Sequence, residues 1–294
     1  HFHNIELSKQ VEATDVDGMQ TDLAVDADGV IHMAWIAQET VSPVSTPVYY
    51  VRYARSEDKG KTFSSPASVS GALRYDLITI NVAGSTSGFS TLDIEVDSRG
   101  NPRVVYAMNQ RAGSTWDEFR FTSGDSDNIY FNYSENGGAS WLPGNNSIVI
   151  NDTLTVGSRS TAFPRMAIDQ RDNIFISYVR GSTQGTGADD IMLAKVDRET
   201  TPFTMVGIGS TANTGSGGGV RISPDAGRHT GPDIDMGTGD VLHIAYFNDA
   251  ANTVEHKTLL ADTWKTVGGT GWNQDASGAG IDDFTDEAGA AAIE

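Results

Sequence analysis

"TDLAVDADGVIHMAWI", residues 21–36, contains a complete hairpin. Leu23-Ala24-Val25 is apolar, Asp26-Ala27-Asp28-Gly29 follows, and Val30 to Ile36 is apolar again apart from His32. Asp side chains can accept hydrogen bonds from the backbone of their own turn, and Gly takes a positive φ at no steric cost. The same order of parts returns in "LDIEVDSRGNPRVVYAM" (92–108), "PRMAIDQRDNIFISYVR" (164–180) and "PDIDMGTGDVLHIAYF" (232–247). Asp22, Asp93, Arg165 and Asp233 hold one position of this unit, about seventy residues apart. Regular spacing of this kind marks a repeat architecture.

A second hairpin lies behind each first one. It is clear at 48–69 and 128–150, and weaker at 190–208 and 253–268. Four strands per repeat, arranged around an axis, make the blade of a β-propeller. The expected fold is therefore all-β, with four-stranded antiparallel blades starting near 21, 92, 164 and 232. Residues 4–14 read as an outer strand with no blade before it, and 288–294 as the first strand of a further blade. One domain over 1–294 is expected. It is either cut from a longer five- or six-bladed ring or closed on a shorter final segment.

The second hairpins of the first two repeats carry "SEDKGKTF" (56–63) and "SENGGASW" (134–141). Ser56-x-Asp58-x-Gly60-x-Thr62-Phe63 and Ser134-x-Asn136-x-Gly138-x-Ser140-Trp141 share one plan. The Asp or Asn caps the amides of its turn, Gly turns the chain, and the aromatic packs under it. These boxes resemble those of the Asp-box (BNR-repeat) proteins, whose best-known members are the sialidases. The resemblance implies a sialidase-like propeller in which the boxes are structural turns, set away from the active site. It also implies what a catalytic member would need: three arginines for a substrate carboxylate, a Tyr nucleophile activated by a Glu, and an Asp acid/base. The family's Arg-Ile-Pro motif is absent near the start, and the nearest strings are "FPRM" (163–166) and "VRISP" (220–224). Arg165, Arg221 and Arg228 are the arginines available for a triad. Tyr106, Tyr178 and Tyr246 occupy equivalent repeat positions.

Composition narrows the partners. A net charge of −19 over 294 residues opposes nucleic acid and anionic membranes. No apolar run is long enough to span a bilayer. Absence of cysteine removes disulfides, thiol nucleophiles and cysteine-metal sites. The first residue is His, so a processed chain or a fragment is expected. "DVDG" (15–18) and "DADG" (26–29) share part of a calcium loop without its full ligand series, and turn chemistry accounts for them. "HFH" at the start has a geometry that can bind copper if His1 is a mature end, or is a tag remnant. No metal and no cofactor are expected. Asn132, Asn145 and Asn151 stand in glycosylation strings that matter only in a eukaryotic secretory host.

Binding residues are expected on the face carrying the long loops 37–47, 80–91, 109–127, 181–189 and 210–231. Asp22, Asp93, Arg165 and Asp233, with Arg228 and His229 just before the fourth, offer carboxylates and guanidinium groups beside the axis. They suit a sugar or anion site, or else bond backbone amides of neighbouring blades. The loop 110–127 breaks the repeat with Arg111, Trp116, Asp117, Glu118 and Arg120. An aromatic beside charged groups suits a pyranose ring, and the competing reading is a solvated loop held by one buried Trp. The expected function is a secreted or cell-surface, non-catalytic propeller that binds glycans or partner proteins. A sialidase-type glycoside hydrolase is the first alternative. A structural subunit of an extracellular assembly, forming a homo-oligomer through terminal strands, is the second.

Overall fold

A computed structural model describes residues 16–40, 47–70, 92–109, 127–143, 147–150, 161–180, 190–198, 204–205, 220–223, 228–249 and 251–260. Every regular element among them is a strand. The first sheet is β1 (Val16–Val25), β2 (Ile31–Thr40), β3 (Pro47–Ser56) and β4 (Ala67–Ser68), in chain order. The second is β5 (Leu92–Val96), β6 (Pro102–Asn109), β7 (Asp127–Tyr133) and β8 (Ile148–Val149). The third is β9 (Thr161–Ile168), β10 (Ile174–Arg180), β11 (Asp190–Asp197) and β12 (Thr204–Met205), with β13 (Val220–Arg221) also pairing β11. The fourth is β14 (His229–Gly237), β15 (Val241–Asn248) and β16 (Thr253–Leu260). All pairings are antiparallel.

This is the blade plan of a β-propeller, with two departures from strict four-strand blades. The third sheet has gained β13, and the fourth has three strands among the described residues. The weak repeat signal at 190–208 and 253–268 fits these irregular outer parts. Residues 261–268, 4–14 and 288–294 lie outside the described residues.

Strand periodicity builds the core. Alternate side chains point to opposite faces of a sheet, so a blade between two others must be apolar on both. On β6, Val104 and Tyr106 face the first sheet, packing with Ala34, Ile36, Val51, Tyr53, Leu92, Ile94 and Trp141. Val105 and Ala107 face the third, against Met166, Ile174, Ile176 and Tyr178. Phe175, Val179, Ile191 and Leu193 turn to the fourth, against Ile234, Leu242, Ile244 and Tyr246. All seven residues of β10 are buried, and its sequence IFISYVR is accordingly almost unbroken by polar groups.

The first-hairpin turns behave as their residues require. Asp26, Asp97 and Asp169 each accept two amide hydrogen bonds at 2.7–3.0 Å, from the residues two and four places on. Gly29 and Gly100 take φ of +79° and +77°. Asp172 and Asp240 sit in the same left-handed conformation, at +60° and +59°. Their side chains offset that strain between sheets. Asp172 accepts from the amide and hydroxyl of Ser98 at 2.8 and 3.1 Å, and Asp240 from the amide of Gln170 at 3.1 Å.

The two boxes close as expected. Asp58 accepts from the Thr62 amide at 2.8 Å and its hydroxyl at 2.7 Å. These bonds, the hydroxyl's first, hold its carboxyl down at about 2. Asn136 accepts from the Ser140 amide at 2.8 Å and donates to its hydroxyl at 2.8 Å. Gly60 and Gly138 donate to Ser56 and Ser134, each at 2.8 Å. The second box also fastens two sheets together. Trp141 meets Tyr53 of the first sheet edge-on at 5.1 Å, and Arg55 donates to the Gly137 carbonyl at 2.8 Å.

Candidate functional site

The inner strands β1, β5, β9 and β14 lie side by side. Period two then places Asp22, Asp93, Arg165 and Asp233 at matched positions, and adds Glu95 and Asp235 two residues further on. Asp22 Oδ2 accepts from the Ile94 amide at 3.0 Å, and Asp93 Oδ2 from the Met166 amide at 2.5 Å. Arg165 Nε stands 3.8 Å from Asp233 Oδ1. One repeat position thus links each sheet to the next.

Crowding of carboxylates shapes their chemistry. Burial, then a hydrogen bond and repulsion from Asp22, push the Asp93 carboxyl well above its usual range. Burial, then Asp22 and Asp235, push Glu95 up to about 7. Folded Glu95 therefore holds its proton where the unfolded chain has lost it. The stability this confers is complete below the unfolded value, about 4.3, and is lost as pH rises through 7. Replacing Glu95 by Gln removes the penalty of ionisation. The expected result is a gain of about 3 kcal/mol above pH 8 and almost none at pH 4, read from thermal unfolding across pH.

The three arginines that the resemblance offers are each engaged on their own sheet or the next. Arg165 is near Asp233. Arg221 Nε is 3.0 Å from Asp190 and donates to the Ser223 carbonyl at 2.9 Å. Arg228 is 3.9 Å from Asp249. Buried Arg180 shares Asp190 with Arg221, at 2.8 Å. His229 is buried, edge-on to Tyr246 at 5.5 Å. The equivalent tyrosines are interior residues. Tyr106 donates to Asn132 at 2.9 Å and its hydroxyl meets Ser147 at 2.6 Å, while Tyr246 donates to Glu255 at 2.7 Å. Arg111, Trp116, Asp117, Glu118 and Arg120 lie outside the described residues, as does most of each long loop.

Glu95, Asp235, Arg180 and Asp190 are not among the residues singled out from the sequence. The first two were legible as i, i+2 neighbours of Asp93 and Asp233 on one strand face. Nothing in the sequence pairs Arg180 with Asp190, because the hairpin joining them sets that contact. Among the described residues, no group of three or more His, Asp or Glu is arranged to hold a metal ion. None of the described elements is a helix long and apolar enough to cross a membrane.

No protein-family model matches the chain, and no curated protein matches it. Solved structures do. A Hadza microbial sialidase is 12% identical with a TM-score of 0.53, over 83% of this chain and 44% of its own. This protein has a sialidase-like propeller fold. A protein of unknown function from Dyadobacter fermentans is 12% identical with a TM-score of 0.50, over 84% of this chain and 61% of its own. An α-L-arabinofuranosidase of Fusarium graminearum, solved with arabinobiose, is 11% identical with a TM-score of 0.49, over 84% and 64%. The chain spans less than two thirds of each. At these identities the likeness is one of fold.

Proposed function

We propose that this chain is a secreted or cell-surface propeller of Asp-box type that binds glycans without cleaving them. The ligand lies on its long-loop face, against Arg111, Trp116, Asp117, Glu118 and Arg120. The observation that carries the non-catalytic reading is the use of the inner-strand carboxylates. Asp22 and Asp93 are bound to amides of the next sheet, and Arg165, Arg221 and Arg228 each stand beside a different carboxylate. Groups held this way build a scaffold and are poorly placed to converge on one sugar. The glycan class is inferred from the aromatic-and-charge composition of the 110–127 loop. The sialidase likeness is one of fold and adds nothing to it.

One observation favours a second reading, a glycoside hydrolase. Such enzymes use an acid whose proton is retained near neutrality, and Glu95 has that character. Incubation with a fluorogenic sialoside separates the two. Binding without release of the fluorophore is expected. Release that disappears in both Glu95→Gln and Arg165→Ala establishes the hydrolase instead.

A further inference from the structure

The outward face of the fourth sheet carries two histidines that take no part in the proposed glycan site. On β15, Leu242, Ile244 and Tyr246 pack toward the third sheet, so His243 and Ala245 point the other way. Ala245 pairs with His256 on β16, and His243 with Thr258, which puts the two histidines on a diagonal of one face. His243 Nδ1 and His256 Nε2 share a hydrogen bond at 3.1 Å, with ring planes 3° apart, and an ion taking both nitrogens would displace its proton. Gly237 leaves room for the His243 ring. A Cβ there would lie 2.6 Å from His243 Nε2, so the bare glycine lets the ring sit against the backbone. Asp235, opposite His243 on β14, adds negative charge to the same face.

We propose that His243 Nδ1 and His256 Nε2 form a two-imidazole site for a divalent transition-metal ion, with water in the remaining positions. The spacing fits. Two imidazole nitrogens on one tetrahedral zinc, each at about 2.0–2.1 Å, stand about 3.3 Å apart. Imidazole is a borderline-soft donor that takes zinc, copper or nickel in preference to calcium or magnesium. With two protein ligands the site is exchangeable, and it is distinct from the three-ligand centres absent among the described residues.

The test is calorimetric titration of the chelator-stripped full chain with zinc chloride, in excess magnesium to occupy surface carboxylates. One zinc per chain at micromolar concentration is expected, with at least tenfold weaker binding in both His243→Gln and His256→Gln. Long-range proton–nitrogen NMR on the wild type adds a readout independent of affinity. Zinc shifts the Nδ1 of His243 and the Nε2 of His256. No zinc uptake by the folded wild type overturns the site. So does uptake equally strong in both variants, which would point to His1 and His3 or to carboxylates.

Discussion

Gly138→Ala is expected to cost more folding stability than any other single glycine substitution in the two boxes. Gly138 has φ of +87°, and a Cβ built on it falls 2.2 Å from the Tyr53 ring. Holding a non-glycine residue in that region costs about 1–2 kcal/mol, and forcing apart a packed contact adds about 1–3. Tyr53 cannot step aside cheaply. Its ring packs on Trp141, and its hydroxyl meets His32 Nδ1 at 2.8 Å. The expected loss of about 3–4 kcal/mol is a large fraction of the stability of a typical domain. Gly60→Ala is the internal control. It has the same kind of backbone, at +80°, but its Cβ meets only Ile31 at 3.5 Å. It should show the backbone cost alone. Urea unfolding of the pair measures the difference, and equal losses would refute the second box's role as a fastener between sheets.

The second large effect belongs to Arg103. Its side chain is 2% exposed, yet it is a cation. It donates to Asp97 Oδ2 at 2.7 Å and to Glu135 at 3.2 Å, bonds the Ser134 carbonyl, and lies over the Tyr133 ring at 5.7 Å. Asp97, at 1%, is buried with it and also caps the 97–101 turn. Removing one member of a buried pair leaves the other uncompensated, at about 3–5 kcal/mol. Arg103→Met should lose that much in urea unfolding. Adding Asp97→Asn to it should recover part of the loss, because the neutral amide oxygen still accepts from Arg99 and Asn101. A double variant worse than Arg103→Met by the full cost of Asp97→Asn would show that the two side chains do not interact.

What the sequence showed, and what it hid, follows from how far each interaction reaches along the chain. The turns were legible because their chemistry is local. Asp26, Asp97 and Asp169 bond amides two and four residues on, and both boxes close within a few residues. The all-β repeat was legible because strand period and turn spacing recur. The meaning of Asp22 and Asp93 was not, since their partners, Ile94 and Met166, are about seventy residues away on another sheet. Two uses for these carboxylates therefore stay open at the level of sequence. Ser134 to Trp141 shows the same limit. Its hydrogen bonds were foreseeable, but the contact of Trp141 with Tyr53 depends on how the first two sheets stack. In sequence Asp172 is one more polar turn residue, and only the neighbouring turn reveals why Asp rather than Gly stands there. His243 and His256 carry no sequence signal, because the register of β15 on β16 alone brings them together. That Asp93 and Glu95 share a strand face was available from "LDIEV" by period two, but the Asp22 and Asp235 that raise Glu95 belong to other sheets.

Glycan binding without turnover is the claim on which most depends. Its direct test is a glycan array probed with the full-length protein, reading bound protein and liberated sugar from the same positions. Retention on a defined subset of glycans is expected, with no liberated sugar, and with loss of retention in Trp116→Ala while circular dichroism shows the fold intact. Liberated sugar from any retained glycan, or no retention of the folded protein anywhere on the array, would contradict it.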